Sequence, residues 1–451
     1  MTSVSAGEVA VVRSAARLRG ELRLPGDKSI SHRALMLATL AEGESRIDGA
    51  GDGVDIRSTA GICAALGAEV EHAVDDDRNA SYRIVSPGVD RLTQPVATLD
   101  CGNSGTSLRL FAGILAGQPF TSILDGDDSL RRRPVARIIE PLRSMGAELH
   151  ARSDDSLPPV TVVGRTRLRA VDVTTPVPSA QVKSAILLAG LRAEGRTTVR
   201  EAIATRDHTE RMLRARGVAV TTARDGDDRG VRVSLEGGST VQAVSERVPG
   251  DVSAAAFWLV AGATHPDAEL TLRNVGVNPT RRAIIDILRA MGARIDEQQV
   301  TRVPFAEGAG EPIADLIVHS SELKAVDLGP GEVAAAIDEI PILCLAAALA
   351  SGTTLIRGAG ELRHKESDRI AGTAAGLRAL GARVEIADDD LTIHGRGSLT
   401  GAPTDSLDDH RLAMTFAIAG LLARGETSVL RPGSASISYP GFFADLERVG
   451  A

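Results

Sequence analysis

Apolar and polar positions along this chain recur in a fixed order. One phrase returns throughout: an apolar stretch of helical character, a small pair such as Gly-Ala, then a short strand. It reads LGAEV at Leu66, MGAEL at Met145, RGVAV at Arg216, MGARI at Met291 and LGARV at Leu380, and a truncated VGA stands at Val449. A second phrase interleaves with it, an alanine-rich helix followed by a glycine and a strand. Its copies are LAEGESRI at Leu40, LAGQPFTSI at Leu115, RAEGRTTV at Arg192, LVAGATHPDAEL at Leu259, LASGTTLI at Leu349 and LARGETSV at Leu422.

The glycines of the second phrase (Gly43, Gly117, Gly195, Gly262, Gly352, Gly425) lie about 67 to 90 residues apart. That period is too long for a solenoid of single motifs. It predicts six copies of a unit holding two helices and several strands, grouped most simply as two domains of three. Glycine suits the end of a helix because it enters the left-handed conformation without a side-chain clash. The β-branched stretch after it, such as Thr197, Thr198 and Val199, favours an extended strand. Helices alternating with strands place the chain in the α/β or α+β class; strand order is not readable at this level.

Composition narrows the picture. A chain of 451 residues exceeds what one core usually covers, in keeping with two domains. Aromatic residues make up 2% and the formal charge is −8, which argues against stacking platforms and broad basic surfaces for nucleic acid. Cys63, Cys101 and Cys344 have no paired spacing, so neither a disulfide framework nor a zinc site is expected. The apolar runs 254–263 and 340–350 are too short to cross a bilayer at roughly 20 residues and read as buried helices. With no signal-peptide pattern at the N-terminus, a cytoplasmic location is expected.

Four polar stretches interrupt the aliphatic pattern. LPGDKSISHRALMLA (24–38) puts Lys28, Ser29 and Arg33 at the start of an apolar helix, with Ser29 and Ser31 as capping residues, a setting for a phosphate or carboxylate. A capped surface helix would read the same way. CGNSGTSLRL (101–110) lets the backbone approach a ligand closely at its glycines, with Thr106 and Ser107 placed to cap a helix. GDDSLRRRPVARI (126–138) runs three arginines into Pro134, which suits a first helical turn. Cations there oppose the helix dipole unless an anion is near; a solvated face paired with Asp127 and Asp128 is the alternative. In 337–370, Asp338 and Glu339 precede Pro341 and an apolar helix, and Glu361, Arg363, Lys365, Glu366, Asp368 and Arg369 crowd together. Carboxylates beside lysines and arginines supply proton carriers and anion holders, though surface ion pairs look alike. His410 and Arg411 precede a further apolar helix. Two familiar fingerprints are excluded: Asp27 breaks a phosphate-binding P-loop, and Val54 stands where GAGDGVD would need its third glycine.

Together these stretches closely resemble the 5-enolpyruvylshikimate-3-phosphate synthases. The matching phrases are LPGDKSISHRALMLA, GNSGTSLRL, SLRRRP, PSAQVKSAILLAGL, TRDHTERML, VPGDVSAAAF, DEIPIL, ELRHKESDRI and DHRLAM. They stand in the family's order over nearly the whole chain, and SAQ at Ser179 with TRDHTE resembles the class II branch. The resemblance implies an α/β (α+β) fold of six βαβαββ units, three per domain. It also implies a first domain of residues 1–26 and 249–451, a second of 27–248, and an active site in the cleft between them.

Carried over residue by residue, the resemblance assigns shikimate 3-phosphate to Lys28, Ser29, Arg33, Ser179, Gln181, Arg206, Asp338 and Lys365. Phosphoenolpyruvate falls to Lys28, Gly105, Arg133, Gln181, Arg369 and Arg411, with Asp338, Glu366 and Lys28 as the catalytic groups. Ala180 replaces a second serine of class I, and Ile437 stands where class I has a lysine, so that contact is left unassigned. No cofactor, metal, nucleic acid or membrane is implied, and a monomer is expected. The implied reaction belongs to aromatic amino acid and chorismate biosynthesis and is the target of glyphosate. The alternatives are a UDP-N-acetylglucosamine enolpyruvyl transferase, which needs a reactive cysteine in a mobile loop, and a non-catalytic phosphosugar-binding relative. Cys101 and Cys344 lie in or beside apolar patterns, and both carboxylates and all the assigned arginines are present; each observation speaks against one alternative.

Overall fold

The computed structural model describes residues 3–4, 9–75, 80–225, 230–300 and 310–450. The chain divides into two units. Unit 1 comprises Met1–Asp27, Pro249–Thr301 and Pro312–Ala451, and unit 2 comprises Lys28–Val248 and Arg302–Glu311.

Twelve helices of at least eight residues are present among the described residues. In chain order they are α1 (Lys28–Leu40), α2 (Val54–Ala65), α3 (Gly105–Ala116), α4 (Ala136–Ser144), α5 (Ala180–Gly190) and α6 (His208–Ala215) in unit 2. Unit 1 holds α7 (Val252–Thr264), α8 (Ala283–Ala290), α9 (Ile340–Leu349), α10 (Arg369–Ala379), α11 (His410–Leu422) and α12 (Phe442–Val449). Odd-numbered helices are apolar on nearly every face and buried along their length; α7 is buried from Val252 to Ala263. Even-numbered helices carry a single apolar stripe, such as Ile138, Ile139 and Leu142 of α4. This is the division expected between central and surface helices. In unit 1, α7, α9 and α11 pack on one another, and in unit 2, α3 packs on α1 and α5.

Each pair of helices serves one four-stranded sheet, three sheets per unit. In unit 2 the strand Leu99–Asp100 lies parallel to Thr121–Asp125. The latter pairs antiparallel with Leu157–Val163, which pairs antiparallel with Glu148–Ala151. The same order is kept by Asp172–Thr174, Arg196–Glu201, Val231–Glu236 and Val220–Arg224. With two helices inserted, each is a βαβαββ unit. Two sheets of unit 1 depart from chain order: Leu18–Arg23 supplies the parallel strand beside Ala268–Gly276, and Val9–Arg13 with Ser3–Val4 completes the sheet of Glu426–Leu430. The truncated VGA at Val449 therefore has its strands; they come from the other end of the sequence. In unit 2, Ser245–Arg247 fills the parallel position beside Glu42–Ala50.

Several local expectations need correction. The glycines of the Gly-Ala phrase (Gly67, Gly146, Gly217, Gly292, Gly381) have φ between +81° and +103°, so this phrase carries the helix-ending glycine in full. Of the second phrase, Gly43, Gly195, Gly352 and Gly425 have positive φ as expected, Gly117 ends α3 at φ −90°, and Gly262 lies inside α7, where a Cβ would stand 2.5 Å from Val318 Cγ1; its reason is packing. α1 begins at Lys28, which places Ser29 and Ser31 within its first turn, and Ser31 Oγ accepts from Gly51 N. α3 is capped by Ser104, whose hydroxyl accepts from Ser107 N, so the capping roles expected of Thr106 and Ser107 fall to Ser104. Pro134 lies between a short 3-10 turn (Leu130–Arg132) and α4, outside the first turn of the helix.

Candidate active site

In unit 2, three helix starts carry the polar groups singled out by sequence. At the start of α1, Lys28 forms an ion pair with buried Asp55 of α2. Arg33, one turn further, is buried: Nε donates to Thr209 Oγ1 at 2.7 Å, Nη2 to Ser184 Oγ at 2.9 Å and Nη1 to Ser29 O at 2.9 Å. Arg33 thus ties α1 to α5 and α6. His32 hydrogen-bonds Thr59 Oγ1 at 2.6 Å, and Thr59 continues to Ser107 Oγ at 2.7 Å. Burial, then the charges of Lys28 and Arg33, push the imidazole well below its usual range, so it stays neutral.

Gly105 opens α3, and its missing side chain has a reason. A Cβ there would stand 2.7 Å from Arg109 Nη1 and 3.5 Å from Arg133 Nη1. Arg109 donates to Gln181 Oε1 at 2.6 Å and to Pro134 O at 3.0 Å, while Gln181 Nε2 donates to Thr106 Oγ1 at 3.0 Å. Gly105, Arg133 and Gln181 are therefore neighbours, and Arg109 is the group that joins them. Sequence reasoning missed Arg109. The available signal was its four-residue offset from Gly105, which sets both on one helical face. Ser179 caps α5 by accepting from Val182 N, Ala180 opens that helix, and half-buried Arg206 lies on the segment between the strand Arg196–Glu201 and α6. Of the neighbouring arginines, Arg131 turns to Asp125 at 2.7 Å and stays at the surface, whereas Arg133 is buried.

In unit 1, Asp338 sits in the turn Ile337–Glu339 before α9 and meets cations from three directions. Lys365 Nζ lies 3.4 Å away, Arg369 Nη1 3.7 Å and Arg411 Nη2 4.0 Å. Arg369 is itself buried. It is held by Asp409 through Nε at 2.7 Å and by Glu366 through Nη2 at 2.6 Å. Burial disfavours its charge, but the carboxylates of Asp409 and Glu366 outweigh that and hold it above the usual arginine range. Asp409 also caps α11 by accepting from Arg411 N at 2.9 Å, so Arg411 opens that helix with His410 and does not precede it. Beneath them Arg281 donates to Ser253 Oγ at 2.6 Å and lies 3.6 Å from buried Glu339. Ile437 ends a 3-10 turn, Pro432–Ile437, and offers no charge.

All three cysteines are buried. Burial pushes the thiols of Cys63 and Cys344 up to about 12, and that of Cys101 higher still, so none is poised as a nucleophile. No group of His, Cys, Asp and Glu suited to a metal is found among the described residues, and no helix there is long and apolar enough to cross a membrane.

In each unit the starts of buried helices carry a set of arginine and lysine side chains of the kind that can hold phosphate or carboxylate. The repeated βαβαββ frame that carries it is the enolpyruvyl transferase fold: the enolpyruvyl transferase NikO from Streptomyces tendae superposes with a TM-score of 0.75 over 98% of this chain and 97% of its own. At 19% identity that likeness shows the fold alone. Nearer relatives decide the family. The model of EPSP synthase (3-phosphoshikimate 1-carboxyvinyltransferase) matches residues 12–446. A 3-phosphoshikimate 1-carboxyvinyltransferase of Gloeobacter violaceus is 50% identical over 98% of this chain and 99% of its own, and one of Bacillus cereus is 46% identical over 96% and 97%. The EPSP synthase structure from Acinetobacter baumannii has a TM-score of 0.84 at 39% identity, covering 98% of both chains. The chain belongs to the EPSP synthase family.

Proposed function

We propose that the protein transfers the carboxyvinyl group of phosphoenolpyruvate to the 5-hydroxyl of shikimate 3-phosphate and releases phosphate. The observation that carries this reading is the family match along nearly the full chain, with a carboxylate ringed by three cations at Asp338. In this reading Asp338 takes the 5-hydroxyl proton as the oxygen attacks C2 of phosphoenolpyruvate. Glu366 and Lys28 deliver a proton at C3 and assist at the bridging oxygen. The resulting tetrahedral adduct then loses the C3 proton and phosphate together, restoring the double bond.

Shikimate 3-phosphate is held by Lys28, Ser29, Arg33, Ser179, Gln181, Arg206, Asp338 and Lys365, and phosphoenolpyruvate by Lys28, Gly105, Arg133, Gln181, Arg369 and Arg411. Arg109 joins them as the group that orients Gln181. In this reading 27–248 forms one domain and 1–26 with 249–451 the other. The protein acts as a cytoplasmic monomer on these two small molecules without a cofactor. Inert buried thiols speak against the cysteine-dependent relative that uses UDP-N-acetylglucosamine. Phosphate release from phosphoenolpyruvate, measured with shikimate 3-phosphate and with UDP-N-acetylglucosamine, tests the reading. Turnover with the first alone is expected; turnover with the second alone, or with neither, would overturn it.

A further inference from the structure

A fully buried ionic cluster in unit 2 lies beside the site and is not used by the chemistry above. Lys183 follows Gln181 by two residues in α5, and its side chain is 1% exposed. Its ammonium donates to Glu201 Oε2 at 2.8 Å and to the Thr205 carbonyl at 3.4 Å, and stands 2.8 Å from Glu210 Oε1. Glu201 ends the strand Arg196–Glu201 and Glu210 lies in the first turn of α6, both buried. Glu201 also accepts from Thr205 N at 3.3 Å and from the Thr205 hydroxyl. One ammonium therefore gathers a helix, a strand end, a second helix and the segment between them. Burial works against its charge, yet the carboxylates of Glu210 and Glu201 outweigh it and hold the ammonium above the usual lysine range.

Such a cluster is a poor way to gain stability, because apolar side chains of the same volume pack there at lower desolvation cost. What it supplies is geometry. Thr205 is fixed from both sides, and the next residue is Arg206. Helix α5, which supplies the ammonium, also begins with Ser179 and Gln181. We infer that Lys183 is a positioning residue for shikimate 3-phosphate: it clamps the 201–207 segment, and so Arg206, at a set place relative to Ser179 and Gln181. The inference rests on the proposed function, since these three residues are ligands only in that reading.

The test uses Lys183→Met in the full chain. A second variant, Lys183→Met with Glu210→Gln, retains one carboxylate and so the cluster's formal charge, +1 − 1 − 1 = −1, which keeps the test open if the single variant does not fold. Hydrogen exchange on the ligand-free protein should speed up across 202–207 while α3 keeps its protection. Steady-state kinetics should show KM for shikimate 3-phosphate raised roughly 10-fold to 100-fold, the scale of a misplaced binding group, with kcat and KM for phosphoenolpyruvate moving less than about threefold. A purely structural lysine would lower the active fraction and leave both KM values alone. Unchanged exchange across 202–207, or an unchanged KM for shikimate 3-phosphate, overturns the inference. If the wild-type protein does not turn over shikimate 3-phosphate, the proposed function falls by that result, and the exchange measurement still decides whether Lys183 holds the segment.

Discussion

Asp338 lies beside Lys365, Arg369 and Arg411; the Arg369 guanidinium is held by Asp409 and Glu366, and that of Arg411 also lies 3.9 Å from Glu339. The surrounding charge thus survives loss of the Asp338 carboxylate. Asp338→Asn keeps the shape and removes the proton acceptor. Turnover should fall by roughly 10²–10⁴ with substrate affinity little changed, the pattern of lost general-base catalysis; stopped-assay kcat beside calorimetric binding of shikimate 3-phosphate checks it. In the proposed function Gly105 borders phosphoenolpyruvate. A methyl group at this position would reduce the room left for a donor-site inhibitor such as glyphosate. The structure aims that methyl at Arg109 Nη1, 2.7 Å away, and Arg109 is pinned by Gln181 and Pro134. Gly105→Ala must displace the guanidinium and with it Gln181. Inhibition by glyphosate should weaken about tenfold to hundredfold, the equivalent of roughly 1–3 kcal/mol of overpacking, with a smaller rise in KM for phosphoenolpyruvate. Titration of the inhibitor at fixed phosphoenolpyruvate in both proteins decides this, and equal inhibition constants would count against it.

Helices that carry site residues at one end are fixed by close packing further along. Gly113 of α3 faces α5 so closely that a Cβ would lie 2.2 Å from Ala185 O. Backbone cannot move aside as a side-chain end can, so Gly113→Ala should separate the two helices and destabilise unit 2 by about 1–3 kcal/mol. Urea unfolding would register this as a lower midpoint with an unchanged slope. Because α3 carries Gly105 and α5 carries Gln181, activity should fall with it. Elements of this kind were legible in the sequence wherever periodicity was strong. The all-apolar runs 254–263 and 340–350 are most of α7 and all of α9, and the Gly-Ala phrase marks the ends of α2, α4, α6, α8 and α10. Helix starts were harder. Ser104, Thr106 and Ser107 are all plausible caps by type, and only the backbone path selects Ser104. Arg109 was passed over for a related reason: its partners Gln181 and Pro134 lie 72 and 25 residues away. No local pattern reports contacts of that range, and the Lys183 cluster was hidden in the same way.

At the scale of the molecule, unit 2 holds its three four-stranded sheets within one continuous stretch, because Ser245–Arg247 supplies the strand beside Glu42–Ala50. A chain of residues 28–248 should therefore fold alone. A single cooperative thermal transition with retained helical and strand circular dichroism is the expected result, and a non-cooperative melt would show that the rest of the chain is required. A shorter piece ending before Ser245 should be less stable, since it exposes an edge of that sheet.

Unit 1 reaches the same completeness by borrowing strands from the start of the sequence, and the borrowing has a topological consequence. Helix α12 ends at Val449, where every other even-numbered helix runs on into the last two strands of its own sheet. Here those two strands are Ser3–Val4 and Val9–Arg13, followed by Leu18–Arg23, which opens the next sheet. Followed through space rather than along the peptide, unit 1 has no first or last motif. It is a closed cycle of three, and the ends of the polypeptide mark a nick in it.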